Sequence, residues 1–259
     1  SRVLIGFFVL AILLRKRGLS LKISRDVIPW FVFFGIIAVY MHQWVQAYAL
    51  YTSKASTATW IVATAPVFIA ILGRFLLKER LSYLRIIGIC VSFFGVLMVV
   101  SEGDLSRVFN RGVSTLGDII ILVTSFNWAF FSVISRFFLK RHREIPQLVI
   151  VFYTILFGLI LTGATFVSIG SFYEIFVILG DMRLLIAIAF LGVFCTGLAY
   201  AFWYDALDVL EASKVGAFMN IQPVVGMIGA SIVLGESISL FLVAGGALIL
   251  VGVYLVNRY

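Results

Sequence analysis

Uncharged apolar runs roughly fifteen to twenty residues long recur along this chain, residues 86–100, 148–168 and 240–256 among them. A helix of about 20 apolar residues crosses the hydrocarbon layer of a bilayer. Nine runs, at about 1–14, 27–50, 55–77, 82–101, 117–139, 146–168, 184–207, 213–234 and 239–256, predict an all-α membrane protein. Lipid gives the backbone no hydrogen-bond partner, so only helices or a closed barrel can span it. A barrel needs alternating segments of about 10 residues with a polar inner face, which these runs lack. The chain is 63% hydrophobic and 12% charged, against roughly 45–50% and 25% in soluble domains. That balance excludes a water-soluble enzyme, a disordered chain and a disulfide scaffold. Cys90 and Cys195 lie in apolar runs with no CxxC partner and are expected as small core residues.

The net charge of +8 reads as topology rather than as a nucleic-acid footprint, because basic residues collect in cytoplasmic loops. With the first loop inside, the cytoplasmic set is Arg15, Lys16, Arg17, Lys22 and Arg25, then Arg74, Lys78, Arg80 and Arg85. Arg136, Lys140, Arg141 and Arg143, then Lys214 and Arg258, complete it. This places 15 of the 20 basic residues inside and leaves Arg2, Lys54, Arg107, Arg111 and Arg183 outside. The C-terminus is therefore expected in the cytoplasm.

The chain also repeats itself. Ala55-Ser56, Pro66-Val67, Glu79, Ser82, Gly88 and Gly95 match Ala212-Ser213, Pro223-Val224, Glu236, Ser239, Gly245 and Gly252, each at an offset of 157. Ala49-Leu50 and Ala206-Leu207 extend the match upstream. That offset spans five predicted helices, an odd number, so the second copy enters the membrane from the opposite side. Such inverted repeats typify secondary transporters. The expected organisation is a first repeat at 1–101, an extracytoplasmic linker at 102–116 and a second repeat at 117–259. The span at 117–139 maps to a position before Ser1. The pattern therefore predicts a 5+5 arrangement with nine helices present and the first missing.

The Ala55-Ser56, Pro66 and Lys78-Glu79-Arg80-Leu81-Ser82 pattern resembles the drug/metabolite transporter superfamily, in its EamA-like ten-helix branch. Gly117-Asp118, Asn127-Trp128-Ala129, Ser135-Arg136, Ala212-Ser213, Gln222-Pro223 and Gly235-Glu236 carry the same resemblance. The resemblance implies two inverted five-helix halves, a central cavity, alternating access and small solutes such as amino acids, metabolites or drugs. Asp205 departs from it, since such proteins more often carry an uncharged residue there.

Ionisable or polar groups inside a span mark function by default. The most polar mid-span stretch is residues 40–46, with His42, Gln43 and Gln46. His42 and Gln46 are i,i+4 neighbours. The imidazole is either a substrate or proton-coupling group, or a buried side chain bonded to a backbone carbonyl. Asp205, near Tyr200 and Trp203, is either a second proton-coupling site or an interfacial carboxylate beside Asp208 and Glu211. Pro66 and Pro223 are expected to kink their spans. Thr59, Trp60 and Thr64, and Asn220 and Gln222, are the nearby residues expected to line a substrate site. Asn127 and Trp128 are expected to form a wall of it, and Tyr153 is weaker. Glu79 and Glu236 read as helix-end residues serving the next helix's N–H groups, Ser82 and Ser239 as N-caps, and the paired glycines as packing.

There is no GxSxG, HExxH or P-loop lysine motif. The only histidines are His42 and His142, so no metal, cofactor or ATP chemistry is expected. An ion gradient or the solute's own gradient would drive transport. The expected function is a secondary transporter of small metabolites, aromatic amino acids first, exporting them across a prokaryotic plasma membrane. Its partners would be small solutes and membrane lipid but no nucleic acid, and it would act as a monomer or homodimer. A non-transporting scaffold or receptor is the alternative.

Overall fold

A computed structural model describes residues 2–52, 61–101, 104, 116–170, 179–222, 224–225 and 240–258. Every regular element among them is helical. In chain order these are α1 (Arg2–Lys16), α2 (Ile28–Phe34), a π-helical segment π1 (Gly35–Met41), α3 (His42–Thr52), α4 (Ala65–Leu76), α5 (Tyr83–Ser101) and α6 (Leu116–Arg141). Then come α7 (Gln147–Ile169), α8 (Met182–Phe190), a second π segment π2 (Leu191–Leu198), α9 (Ala199–Val209), α10 (Ala212–Ala217), a 3₁₀ turn (Phe218–Ile221) and α11 (Leu240–Asn257). Among the described residues, four helices are long and apolar enough to cross a membrane: Arg25–Ala49, Ile119–Arg141, Gln147–Ser168 and Met182–Val209. Shorter apolar helices run over Ala65–Leu76, Tyr83–Met98 and Val243–Asn257.

Two spans differ from the sequence expectation. Pro66 does not kink a continuous helix. A turn at residues 63–64 ends one helical stretch, and Pro66 sits at the second position of α4, where its missing N–H is harmless. At the repeat-equivalent place, the 3₁₀ turn Phe218–Ile221 interrupts the helix that begins at Ala212. The other correction concerns the cysteines. Cys90 and Cys195 are exposed, not core. In a bilayer an apolar side chain need not be buried in protein, so an apolar run does not say which of its faces packs.

The chain divides into two compact units, Ser1–Gln43 with Ser135–Val209, and Trp44–Ile134 with Leu210–Tyr259. In the first, α1 packs on π2 and α7 packs on π1. Glycines permit both approaches. A Cβ at Gly6 would fall 2.7 Å from Thr196 Cγ2, and one at Gly158 would strike Val39. Val39 and Thr196 are 157 apart, as are Gly35 and Gly192, which open the two π segments. Gly35 faces Phe157, and Gly192 faces Ile5, each against the partner's Cβ. The two contacts are thus one contact made twice, with α1 and α7 as equivalents at an offset of 152. An aromatic group fills this unit: Phe138 meets Trp30, Phe31 and Phe34 at ring separations of 5.5–5.8 Å, and Tyr153 stacks on Phe31 at 5.3 Å. Tyr153 also donates to Leu21 O, 2.8 Å away, an anchoring contact. Buried Arg136 donates to the Leu207 carbonyl.

In the second unit α5 and α11 cross antiparallel. A Cβ at Gly88 would lie 2.7 Å from Gly252 O, and one at Gly95 2.7 Å from Gly245 O. Each glycine thus meets the repeat-equivalent of the other, as two copies related by a two-fold axis require. Ser82 caps α5, accepting from Arg85 N at 3.3 Å. Glu79 serves a helix far along the chain. Lys78, in the left-handed region at φ 54°, turns the chain after α4, and Glu79 N reaches back to Gly73 O. The buried Glu79 carboxylate then accepts from Ala212 N (2.7 Å), Ser213 N (3.2 Å) and Ser213 Oγ (2.8 Å). It caps α10, a helix 133 residues away, with Arg85 and Glu211 forming an ion pair beside it. Position 235, the repeat-equivalent of Lys78, is a glycine, the residue best suited to that left-handed turn.

Candidate functional site

The first unit gathers polar side chains around its two π segments. A π turn bonds i to i+5, which disturbs the regular pairing of carbonyls, and such turns recur at functional sites. Here π1 ends immediately before His42, and π2 ends two residues before Tyr200. Gln43 and Tyr200 are therefore repeat-equivalents, 157 apart, each just past a π segment. Tyr200 is buried, and its hydroxyl donates to Ala38 O within π1 at 2.7 Å. Arg2 Nε donates to Gln43 Oε1 at 2.8 Å. That bond fixes the amide, so the Gln43 NH₂ is the donor in its contact with the Tyr200 oxygen. The result is a directed chain from Arg2 through Gln43 and Tyr200 to the backbone of π1. His42 is partly buried in the same electrostatic neighbourhood as Arg2.

Tyr200→Phe should leave the Ala38 carbonyl and the Gln43 amide without this partner, at a cost of about 1–3 kcal/mol. Thermal unfolding in detergent reads that loss, and an unchanged midpoint would show that the chain does not form.

Trp203 and Asp205 are partly buried on α9. Asp205 lies within electrostatic range of Arg17 and Asp208, and Asp208 accepts from Gln147. In the second unit, Thr64 Oγ1 donates to Ile61 O at 2.6 Å, so it closes its own turn. Asn220 is 1% exposed, and its Nδ2 donates to Ser92 Oγ at 2.7 Å. Gln222 is exposed, while Gln46 and Asn127 are partly buried. Trp128 packs on Phe131 at a ring separation of 5.4 Å. Trp60 and Pro223, with Thr59, Glu236 and Ser239, lie outside the described residues.

Of the expected residues, Gln43 and Tyr200 come together, with His42 within electrostatic range of Arg2, and Asn220 acquires the unforeseen partner Ser92. Arg2 was also missed. A base at the edge of an apolar run reads as a loop charge, and only the fold turns it toward Gln43. Among the described residues no group of three His, Cys, Asp or Glu side chains could hold a metal ion.

The EamA-like transporter family model matches residues 1–101 and 115–258. A Bacillus subtilis protein, described as uncharacterized transporter YyaM, is 30% identical over 95% of this chain and 78% of its own. An uncharacterized transporter of Archaeoglobus fulgidus is 29% identical over 97% of this chain and 83% of its own. A probable amino-acid metabolite efflux pump of Salmonella typhimurium is 25% identical over 78% of this chain and 67% of its own. One crystal structure matches with a TM-score of 0.80 at 19% identity, covering 99% of this chain and 85% of that one, a likeness of fold.

Proposed function

Because the chain belongs to the EamA-like transporter family, we propose that it is a secondary carrier of small organic metabolites. In this reading it works by alternating access and exports amino acids, aromatic ones first, across a prokaryotic plasma membrane. That it is a multi-pass membrane transporter follows from the family and its apolar helices. The observation that carries the finer reading is the pair of π segments at repeat-equivalent positions, with Gln43 and Tyr200 joined just beyond them. Interrupted helices in corresponding positions of two halves are the mark of a carrier's substrate site. In the first unit, His42, Gln43, Tyr200 and Trp203 offer hydrogen bonds and flat apolar faces to an aromatic solute. In the second, Thr64 and Asn220 sit at the two turns that break the helices. The Salmonella relative's description supports amino-acid metabolites as cargo and efflux as the direction. His42 and Asp205 are the groups proposed to couple transport to protons, and the C-terminus is placed in the cytoplasm.

Counterflow in proteoliposomes tests this. Vesicles loaded with unlabelled L-phenylalanine or L-tryptophan should accumulate the labelled amino acid above protein-free controls. His42→Gln with Asp205→Asn should remove pH-gradient-driven uptake and spare exchange. No flux of amino acids, nucleosides, sugar phosphates or cationic drugs would overturn the reading.

A further inference from the structure

We propose that Asn220 Oδ1 is the acceptor that selects solutes bearing a protonated amine, a proposal that rests on the carrier reading above. The orientation of the amide follows from its neighbour. The Ser92 hydroxyl has one proton, and it donates to Ile89 O at 3.1 Å. Ser92 Oγ therefore accepts from Asn220, the amide nitrogen faces Ser92, and the carbonyl oxygen points away. That Oδ1 is buried and has no hydrogen-bond partner. A buried acceptor left unsatisfied costs free energy, and native proteins rarely leave one without a reason.

The internal repeat removes the ordinary reason, structural need. Subtracting the offset of 157 maps Asn220 to Ala63, and adding it maps Ser92 to Ile249. Ala63 and Ile249 are packed together with Val96 and Val253 in one apolar cluster, and Val96 and Val253 are themselves equivalents. The same architecture is thus built twice, once in hydrocarbon and once with a polar pair. Packing alone is satisfied by the apolar version. What the polar version adds is a fixed acceptor halfway along α5, since Ser92 is the middle residue of Tyr83–Ser101. An uncharged amide oxygen takes an N–H donor and offers nothing to a carboxylate. Hydrogen bonds to an ammonium are roughly twice as strong as neutral ones, which makes a protonated primary amine its best partner.

The repeat also supplies the variant that tests this. Ser92→Ile with Asn220→Ala copies the Ala63 and Ile249 layer into the second position. Ile249 already packs against Gly95, and Ser92 against the equivalent Gly252, so the larger side chain has a precedent. The probes are phenethylamine, L-phenylalanine and 3-phenylpropanoate, read by ligand-dependent thermal shift and by counterflow. Wild type should prefer the two amines to 3-phenylpropanoate. The double variant should melt no lower and lose about tenfold of that preference. Asn220→Asp, which keeps the shape and adds negative charge, should sharpen the preference at pH 8. A preference unchanged in both variants, or a wild type that takes 3-phenylpropanoate as well as phenethylamine, overturns the inference and leaves the carrier reading intact. Wild type that binds none of the three also overturns it. The carrier reading then falls as well only if the wider solute panel gives no flux.

Discussion

Replacing Glu79 by alanine is expected to cost about 3–5 kcal/mol of stability, the largest loss for any single polar side chain described in this fold. Its carboxylate receives two backbone N–H groups and a hydroxyl at the start of α10. Hydrogen bonds to a charged group contribute about 1.5–3 kcal/mol each, and their loss leaves buried donors unsatisfied. The effect does not stay local. Those bonds join the end of α4 to a helix 133 residues further on, and Arg85 and Glu211 lose the context of their ion pair. Glu79→Gln keeps the shape and one carbonyl, so it should cost about half as much. Thermal unfolding in detergent should show a drop of roughly 10 °C for the alanine variant. A midpoint within about 2 °C of wild type would mean that the cap is not formed.

The second large effect is expected where α5 and α11 cross. Gly252→Leu has no way to relax, because its Cβ would lie 2.5 Å from both Gly88 O and Ser92 N. Backbone cannot swing aside as a side-chain tip can, so the helices must separate. Overpacking usually costs about 1–3 kcal/mol; a backbone clash on both sides places this variant at about 3 kcal/mol or more. Gly163→Ala is the control. It sits in α7 with nothing within 4 Å of its added Cβ, and helix propensity alone predicts a gain of up to about 1 kcal/mol. Size-exclusion profiles and melting temperatures of the two variants read the contrast. Equal behaviour would dismiss the close crossing.

Much of this was visible in sequence for a plain physical reason. Bilayer thickness fixes the length of an apolar run, so the ends of α1, α5, α6, α7 and α11 fall within three residues of expectation. Glycines seven apart on one helix face announce a close contact, and Gly88, Gly95, Gly245 and Gly252 make it. What escaped were features that depend on partners distant in the chain. A π turn has no hydrophobic signature, because Gly35–Met41 is apolar like the α2 turns that precede it. The equivalence of α1 and α7 was hidden by a five-residue change of register. Glu79 was correctly read as structural, yet nothing nearby names Ala212 and Ser213 as its partners. The site followed the same rule. Gln43 and Tyr200 each stood out as polar groups in a span, but only shared positions after two π segments show them as one pair.

A secondary carrier needs a solute site that opens to one side of the membrane at a time. Sided labelling measures that directly. In a Cys90→Ala and Cys195→Ala background, which removes both exposed native thiols, single cysteines replace Thr64 or Gln222. Each variant is reconstituted and treated with an impermeant thiol reagent from one side, with and without transported solute. Conditions that raise the labelling rate from one side are expected to lower it from the other. Simultaneous access from both sides, or no aqueous access under any condition, would contradict the carrier reading.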